Sequence, residues 1–557
     1  MSSRSITSTA LEMHQKVSPD RWCVTRLDLK YLHVQVLEAV QAGQIFSRSC
    51  SGDTAGTQES EDDDEFGPSI YTVTEQYIKP VTAEAGKMSW ALMRNPFGLD
   101  CDLFVSHAWQ EGIFEFLSKV RTSWPRGARN AWCCMLANPQ NLNVSSMLLS
   151  PRASPFALAL QASSVVLVVP NRHRSVYTRL WCGYEAYVAS EEDKTIQVAM
   201  APGRRSMCFA CLKAMVPVVL GLVLGTLDRF FHWQLRVFEI SFLVSMCAFT
   251  SAIARPSLLR RVVNYVGLLS SGALEVCWDQ KRLLVFQEGP TVLEHIAQRV
   301  VWLCGIAFFL VAELDRARSL RLDEEGHQLR KGFEGSIRFA SCSQETDMRN
   351  IWEEIGNKVD DVDHAIDVLI SAGISSPDLR FAAEQGVDIE EAGHADYAMA
   401  VVVLGPLQLI SLKNAIQVLL FSPELWQEAT FAWLGLLASL SCSIMILGGS
   451  VDQRAFILKV MNKLCTLTFI PFAAVMGAVG NEEGDVALQV LQVLFTSLHN
   501  IKIVVLFFSV LSIRGTLKLP GGKSILLFLL SRRWGGHDCR SRRCCPVVSG
   551  SSESVGD

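Results

Sequence analysis

The stretch SSVVLVVP, Ser163–Pro170, contains the clearest β-strand signal in this chain and decides the fold of its first globular part. Aliphatic and β-branched residues follow one another without a polar interruption, which is typical of a strand buried on both faces. The short apolar runs Leu103–Val105 and Ala131–Leu136 are predicted as further strands. Because both faces of such strands must be covered, we expect helices on either side of the sheet.

Helical stretches alternate with these strands. In Glu111–Arg121 the apolar residues recur every three or four positions, and Arg179–Ser190 is a second predicted helix. The alternation predicts an α/β fold over residues 99–200 with a parallel sheet of four or five strands. We expect Leu103–Val105 and Val165–Val169 to be central strands, since they are apolar on both faces.

Composition excludes several functional classes. The 557 residues are 49% hydrophobic and 19% charged, and the net charge of −5 is spread along the chain without a basic stripe. We therefore expect no nucleic-acid partner. The 17 cysteines show no metal-binding spacing, so we expect no bound metal and a reduced chain facing the cytosol. Residues 1–30 are polar and predict no signal peptide.

Long apolar stretches occupy much of the rest of the chain. A helix needs about 20 mostly apolar residues to cross roughly 30 Å of hydrocarbon. Residues 430–448 carry no charge, whereas 262–278 is the weakest candidate because Glu275 would lie in the bilayer. The eight predicted spans are 210–227, 237–254, 262–278, 296–314, 398–420, 430–448, 464–480 and 486–513.

Lysines and arginines flank these spans asymmetrically and predict their orientation. Arg204 and Arg205 precede the first span, and Arg514 and Lys518 follow the last, which places both termini in the cytosol. The acidic loop Asn481–Asp485 then lies on the outside. Ionisable residues inside the spans either snorkel and pair within the bundle or line an ion or substrate path.

These patterns divide the chain into six regions. They are an N-terminal region with a disordered acidic and serine-rich linker (1–67), an α/β domain (68–204), membrane helices 1–4 (205–314), a cytosolic helical segment (315–396), membrane helices 5–8 (397–513) and a basic cysteine-containing cytosolic tail (514–557). The chain is therefore predicted to be a multi-pass integral membrane protein whose soluble domains lie in the cytosol. The lipid bilayer is the implied partner.

The cytosolic segment contains a heptad pattern at 348–369. Its members are Met348, Trp352, Ile355, Val359, Val362, Ile366 and Leu369. The pattern predicts either an amphipathic helix that packs on its neighbours or a coiled coil that joins two chains. Gly356 argues against a long coiled coil, and Gly373 fits a helix C-terminal cap.

The C-terminal tail carries three candidate lipidation sites, Cys539, Cys544 and Cys545, among arginines just past the last span. Cysteines beside a membrane and next to basic residues are typical targets of S-palmitoylation. The arginines favour anionic lipid headgroups. A tail without this modification is the alternative.

Three segments of the α/β domain place polar residues at one edge of the predicted sheet. DLFVSHAW ends the first strand with Ser106 and His107, SSVVLVVP ends another strand at Pro170, and SVYTRLWCGYE leads to Glu185. In an open parallel sheet, ligands bind beyond the C-terminal ends of the strands. A carboxylate at this edge is therefore a candidate ligand-binding group.

These motifs resemble those of a TIR (Toll/interleukin-1 receptor-like) domain. FVSH resembles the first-strand motif of the family, and the segment from Ser175 through WC-x-x-E resembles the motif near its fourth strand, with an insertion. The resemblance implies a flavodoxin-like fold for about residues 99–200. The arrangement of the whole chain, including the segment Cys342–Ile355, also resembles the multi-span TIR-like proteins of dinoflagellates.

The resemblance further implies an activity and a site. In enzymatic members of the family, the glutamate of WC-x-x-E, here Glu185, supports cleavage of the nicotinamide–ribose bond of NAD, so NAD is an expected substrate and no other cofactor is expected. We expect the remaining substrate-binding residues to be Ser106, His107, Trp109, Trp181 and Tyr184.

Three functions remain open at this point. The chain is a membrane-anchored TIR-like signalling protein that cleaves NAD, a transporter or channel regulated by a non-enzymatic TIR-like domain, or a scaffold that self-associates through TIR-type contacts. Glu185 itself is catalytic, part of a nucleotide-binding site without catalysis, or a helix-start residue favoured by the helix dipole. Departure of nicotinamide leaves a cationic ribose, which a nearby carboxylate stabilises.

Overall fold

The structure is a computed structural model of the whole chain. It describes residues 12–46, 66–143, 150–231, 237–254, 257–285, 292–401, 404, 426–449, 451–479, 504–508 and 510–530. The acidic and serine-rich linker of the N-terminal region, which the sequence predicts over 48–66, lies outside these residues apart from Phe66. The acidic loop Asn481–Asp485 and the lipidation candidates Cys539, Cys544 and Cys545 also lie outside them.

A six-stranded mixed sheet forms the centre of the α/β region. Its strands are β1 (Val24–Thr25), β2 (Leu103–Ser106), β3 (Asn130–Cys133), β4 (Val165–Val168), β5 (Thr195–Val198) and β6 (Ile374–Ser375), in the order β1-β3-β2-β4-β5-β6. The pairs β3–β2, β2–β4 and β4–β5 are parallel, with Leu103 opposite both Ala131 and Val165. Four strands are parallel and Leu103–Ser106 and Val165–Val168 lie in the middle, as predicted, but the sheet is mixed and has six strands instead of a parallel sheet of four or five.

The third predicted strand is shorter than expected. Ala131–Leu136 was predicted as a strand throughout, but β3 ends at Cys133 and Cys134–Ala137 is helical. Gln140 fixes this turn, because its side-chain amide donates to the carbonyls of Cys134 and Met135. A continuous apolar run does not distinguish a buried strand from a buried helix, which explains the error.

Both edges of the sheet come from outside the predicted α/β domain. β1 pairs antiparallel with β3, and β6 pairs antiparallel with β5. Each edge strand has two residues. The sheet therefore includes residues from the N-terminal region and from the segment 315–396.

The helices are numbered along the chain. Those around the first five strands are α1 (Arg26–Gln41), α2 (Ile70–Val73), α3 (Lys79–Glu84), α4 (Trp90–Arg94), α5 (Ile113–Thr122), α6 (Cys134–Ala137), α7 (Pro155–Ala162) and α8 (Leu180–Glu191), with a π-helical turn at Thr74–Ile78. Those that follow are α9 (Arg204–Phe231), α10 (Val237–Ile253), α11 (Ser257–Val285), α12 (Val292–Arg330), α13 (Glu345–Ile355), α14 (Val359–Ala372), α15 (Pro377–Glu384), α16 (Trp426–Gly448), α17 (Val451–Val479) and α18 (Gly522–Leu530).

Several helix ends are set by capping residues. The Thr25 side chain accepts from the backbone of Asp28, whose carboxylate accepts in return from the Thr25 backbone, which is a capping box at the start of α1. Ser154 and Ser376 cap α7 and α15, each with proline at the next position. Gly373 ends α14 with a φ of 72°, as predicted, because a left-handed residue is easiest for glycine.

One helix among the described residues is long and apolar enough to cross a membrane. It is Met207–Asp228 within α9, with 22 residues and a mean hydropathy of 2.3. Only 22% of its most apolar window is buried. Phe242–Ile253 and Trp433–Ile446 are shorter apolar helices.

The described residues therefore support one candidate span and not the predicted eight. Helices α9 to α12, α16 and α17 cover six of the eight predicted stretches, but one reaches the length and hydropathy of a span within the described residues. The stretches 398–420 and 486–513 fall largely outside those residues. Charged and polar residues shorten the apolar part of the remaining helices, such as Glu275 in α11.

Glycines bring α9 and α11 into close contact. A Cβ at Gly221 would lie 2.0 Å from the Leu269 carbonyl oxygen, and one at Gly225 would lie 2.8 Å from Val276 Cβ. Gly272 makes the reciprocal approach to Val218. The spacing Gly221–Gly225 is the small-xxx-small pattern that lets helix backbones approach in apolar surroundings.

The heptad stretch forms two helices instead of one. α13 ends at Ile355, Gly356 has a φ of 55°, and α14 begins at Val359. From Ile355 onward the heptad residues are buried within this chain's own core, whereas Met348 is exposed and Trp352 is partly buried. The packed amphipathic alternative is the one that the structure contains, and Gly356 breaks the continuous helix that a coiled coil requires.

Candidate functional site

Glu185 lies inside α8, where it faces the end of β2. The helix begins at Leu180, so Glu185 belongs to its second turn and not to its start. The residue is 7% exposed. A carboxylate in this position gains nothing from the free amides at the helix start, because the dipole effect is confined to the first turn.

Ser106 and Arg179 are the polar groups beside this carboxyl. Ser106 is the last residue of β2, and Arg179 directly precedes α8. Three buried atoms here, Ser106 Oγ, Glu185 Oε2 and Arg179 Nη1, lack a hydrogen-bond partner of standard geometry. Buried polar atoms without partners are costly, so their clustering marks a place built to meet another polar group.

Burial determines the protonation of Glu185. Loss of water contact raises the pKa of this carboxyl to about 7, although the nearby Ser106 hydroxyl and the Arg179 charge both act to lower it. Desolvation outweighs them because the charged form loses its hydration on every side. Near neutral pH, Glu185 is therefore divided between its neutral and ionised forms.

His107 lies next to this group on the other side of the β2 end. Its Nε2 is 3.2 Å from Cys134 Sγ, its Nδ1 is buried without a partner, and its ring packs on Phe116. Burial lowers the pKa of His107 to about 4, and the Arg179 charge adds to the effect. The imidazole is therefore neutral at physiological pH and is unsuited to accept a proton there.

Two cysteines line the same region. Burial raises the pKa of Cys134 to about 12, with Glu185 contributing in the same direction. Burial likewise raises the pKa of Cys182, whose Sγ lies 3.8 Å from the His107 carbonyl oxygen. Both thiols stay protonated, so they are unsuited to nucleophilic chemistry.

The three predicted aromatic residues divide between two places. Trp109 lies beside the site, where the centroid of its ring is 5.2 Å from that of Tyr71. A hydrogen bond from its side chain acts to lower the pKa of the Cys134 thiol. Trp181 and Tyr184 instead contact α13. Trp181 Nε1 donates to Asp347 at 3.3 Å, and the Tyr184 hydroxyl donates to Glu354 at 2.8 Å.

The chain between residues 66 and 73 covers the loop that follows β2. Ser69 forms a β-bridge with Gly112, and the backbone amides of Ile70 and Tyr71 donate to the carbonyls of Glu111 and Trp109. A Cβ at Gly112 would lie 2.3 Å from the Phe66 carbonyl oxygen, so the two segments are in close contact. This cover, with the loop 107–112, closes the site from that side.

Sequence reasoning missed Arg179, Tyr177 and Cys134. All three act electrostatically on Glu185 or respond to it, and the Tyr177 hydroxyl is buried without a partner. Arg179 and Tyr177 stand in the same SVYTRLWCGYE segment as Glu185. Their nearness to Glu185 in the sequence is the signal that could have indicated them. Cys134 is the first residue of α6, directly after β3, and no local pattern indicates its proximity.

Neither a metal site nor a similar protein identifies the ligand of this site. Within the described part of the chain, no group of three or more His, Cys, Asp or Glu residues is arranged to hold a metal ion. No protein-family model, curated protein or solved structure matches the chain.

Proposed function

We propose that this chain is a membrane-anchored TIR-like signalling protein that cleaves NAD at the nicotinamide–ribose bond, with Glu185 as the catalytic residue. The observation that carries the proposal is a buried carboxyl with an unpartnered oxygen at the end of the first parallel strand, next to Ser106 and Arg179. Perturbed carboxylates at such positions are candidates for catalysis.

The order of the parallel strands supports this placement. In chain order the four are arranged second, first, third and fourth, which is also the arrangement of flavodoxin-like sheets. In such sheets the crevice that binds ligands lies between the first and third strands, here β2 and β4. Ser106 is the end of β2, so Glu185 is beside this switch point.

The proposed chemistry uses the ionised form of Glu185. As the bond from ribose to nicotinamide breaks, its electron pair leaves with nicotinamide and positive charge develops on the ribose, which a carboxylate in a water-poor site stabilises strongly. One water molecule then adds to the ribose carbon and loses a proton, which gives ADP-ribose. In this proposal Ser106 holds a ribose hydroxyl. Arg179 supplies the positive charge that an anionic nucleotide requires, and its Nη1 lacks a partner.

Substrate reaches Glu185 when the cover moves. The Ser69–Gly112 bridge holds the segment 66–73 over the loop after β2, together with the hydrogen bonds that the backbone amides of Ile70 and Tyr71 donate. The Ile113 amide also donates to the Pro68 carbonyl, and Ile70 and Val73 are fully buried, so opening must break these contacts as well. Opening of such a loop is a common step in enzymes that exclude water during reaction.

The membrane anchor rests on α9. Phe209, Leu212, Val216, Val219 and Leu220 are each more than half exposed on this helix. An apolar face of this size is typical of contact with lipid or another protein. The multi-pass arrangement with cytosolic termini belongs to the same proposal.

A second function, a transporter or channel regulated by the α/β domain, is favoured by one observation. Helix α12 is continuous from the predicted span 296–314 to Glu325, which contacts Lys119 of α5. Such regulation requires a rigid element that joins the α/β region to the predicted membrane region. Flux of a tracer ion through vesicles, unchanged by Glu185→Gln, would favour this function over NAD cleavage.

Nicotinamide release from NAD by the purified full chain tests the proposal. The full chain is needed because β1 and β6 complete the sheet from outside residues 68–204. We expect Glu185→Gln to lower the rate by about 100-fold or more, as loss of a transition-state contact does. Glu84→Gln is the control, since Glu84 is exposed on α3. A wild-type chain without activity, or equal rates in both variants, would contradict the proposal.

A further inference from the structure

Helix α1 presents an apolar face to solvent on the side away from the core. Its inner face packs into the core through Leu29, Leu32, Val36 and Ala39. Its outer face carries Leu27, Tyr31, Val34 and Leu37. Leu27 is the most accessible of them, with 76% of its surface exposed. A surface helix normally carries polar residues on its outer side, so a row of apolar residues there is typical of a contact with a partner.

The outer face of α1 is a narrow strip centred on Val34. The strip also contains the exposed residues Lys30, Glu38 and Gln41. Because an α-helix has 3.6 residues per turn, these side chains span an arc of about 120°. Each of the others has a counterpart at the same distance on the far side of Val34, and the pairs are Leu27 with Gln41, Lys30 with Glu38 and Tyr31 with Leu37. The strip therefore fits the twofold symmetry of a contact between two copies.

The two charges of the strip specify how a second copy would lie. Lys30 precedes Val34 by four positions, and Glu38 follows it by four. If two copies of α1 pack antiparallel about a twofold axis at Val34, Lys30 of each copy lies at the level of Glu38 of the other. A parallel pair would instead bring like charges together. Opposite charges on neighbouring helical positions stabilise and like charges destabilise, so the antiparallel arrangement is favoured.

Lys30 and Glu38 are both available for such a contact. Lys30 is exposed and forms no ion pair with another residue that the structure describes. Glu38 is exposed and accepts a hydrogen bond at 2.9 Å from a neutral side-chain amide one turn earlier, which does not compensate its charge. Beside the strip, the Arg94 guanidinium lies 4.3 Å from the Tyr31 ring centroid and pairs with Asp28 at 3.1 Å. The charge of Arg94 is therefore already compensated within the chain.

We propose that α1 is a self-association surface on which a second copy of this chain packs antiparallel, with the twofold axis at Val34. Tyr31 of each copy packs on Leu37 of the other, and the two pairs of Lys30 with Glu38 lie at the rim. The contact lies outside residues 68–204 and outside the heptad stretch 348–369, and NAD cleavage does not depend on it. A pair of 16-residue helices forms a small interface, so the association is weak.

Cross-linking of the purified full chain tests the arrangement. Val34→Cys places a thiol on the twofold axis, where the two helix axes approach to about 8–10 Å, so a short bismaleimide should join two chains. The wild-type chain gives the background from its native cysteines. Leu27→Cys is the matched control, because it lies on the same face and is more exposed. The two equivalent positions at Leu27 lie roughly 20 Å apart along an antiparallel pair, beyond the reach of the reagent.

Charge reversal tests the pairing of Lys30 with Glu38, measured as cross-linked dimer from Val34→Cys chains over a range of concentrations. Lys30→Glu makes both contacts acidic and Glu38→Lys makes both basic, so each variant alone should associate roughly tenfold more weakly. An equimolar mixture of the two variants has opposite charges at every contact between unlike chains. The mixture should therefore cross-link as the unreversed chain does, and so should the double variant Lys30→Glu/Glu38→Lys.

Three results would overturn the self-association surface. They are cross-linking of Val34→Cys no stronger than the wild-type background, cross-linking of Leu27→Cys as strong as that of Val34→Cys, and a mixture of charge variants that associates no better than either alone. The first is also the result expected if another protein or a lipid surface occupies the face. All the changed positions are exposed, so each variant should keep the wild-type melting temperature. The cross-linking needs no NAD, so it is independent of nicotinamide release.

Discussion

Lys119 of α5 and Glu325 of α12 form a buried ion pair, with Nζ 2.8 Å from Oε2, although 206 positions separate them in the chain. Both side chains are almost fully buried. The same ammonium group also donates to the Pro170 carbonyl at 2.8 Å and pairs with Glu115 at 2.9 Å. The pair fixes the α/β region to the helix that runs from the predicted membrane span.

Lys119→Met should destabilise the chain strongly. Removal of the ammonium group leaves Glu325 and Glu115 buried without their counter-charge, which costs about 3–5 kcal/mol for a buried pair. Thermal unfolding of the full chain measures the effect. The double variant Lys119→Met/Glu325→Leu should recover part of the loss, because the uncompensated charge is then removed as well.

Arg338→Met is the matched control for this prediction. Arg338 pairs with Asp360 at 3.2 Å, but both side chains are largely exposed. Exposed ion pairs contribute little because water screens them. A loss from Lys119→Met no larger than that from Arg338→Met would show that the buried pair does not hold the two regions together.

The central strands could be predicted because their signal is local. In Leu103–Val105 and Val165–Val169 the apolar run itself specifies burial on both faces, and the structure places both in the middle of the sheet. The proximity of Glu185 to Ser106 followed from a rule about sheet edges. The strands needed only a short window of sequence, whereas the proximity of Ser106 and Glu185 needed the topology of a parallel sheet as well.

The edge strands and the side-chain contacts around the site depended on contacts between segments far apart in the sequence. The edge strands β1 and β6 have two residues each, too few for a periodic pattern. The partners of Trp181 and Tyr184 lie more than 160 positions away on α13, and no spacing rule reaches them. The sequence predicts partial burial of Glu185 beside Trp181 and Tyr184, but its nearly complete burial results from segments packed over the sheet edge.

Ile366→Ala should destabilise the chain without changing its oligomeric state. Ile366 is fully buried on α14 within this chain's own core, so the substitution leaves a cavity that costs about 2–5 kcal/mol. Asp367→Ala is the control, since Asp367 is the next residue and is exposed. Unfolding and light scattering measure the two effects. Dissociation of an oligomer by Ile366→Ala would restore the coiled-coil alternative.

Gly221→Ala should loosen the contact between α9 and α11. The added methyl group would overlap the Leu269 carbonyl oxygen, which is backbone and cannot rotate away, so we expect a loss of about 1–3 kcal/mol. Gly448→Ala is the matched control, because no atom lies within 4 Å of a Cβ there. Melting temperatures of both variants in detergent measure the difference. Equal melting temperatures would mean that the close approach is not needed.

NAD cleavage should rise with pH through the titration of Glu185. The reaction needs the ionised carboxyl, and burial raises the pKa of that group to about 7. The rate at low substrate should therefore increase about tenfold per pH unit well below 7 and level off above 8. A profile that is flat between pH 5 and 8 would exclude Glu185 as the titrating catalytic group.

Glu185→Gln should make the fold more stable at alkaline pH while it removes activity. The pKa of Glu185 is raised from 4.5 to about 7, so the folded chain keeps a proton that the unfolded chain releases in this interval. The stability contributed by the neutral carboxyl is fully present below about 4.5 and is lost as pH rises through 7, a cost of about 3 kcal/mol. Glutamine does not titrate and keeps that stability, so the difference in melting temperature should be small at pH 4 and favour Glu185→Gln at pH 8.

His107 titrates in both chains, so its effect cancels in the difference in melting temperature between wild type and Glu185→Gln. Glu84→Gln, on an exposed position, should follow the wild type at every pH. A difference between wild type and Glu185→Gln that does not change with pH would mean that Glu185 is hydrated in solution, and the buried site would then be wrong.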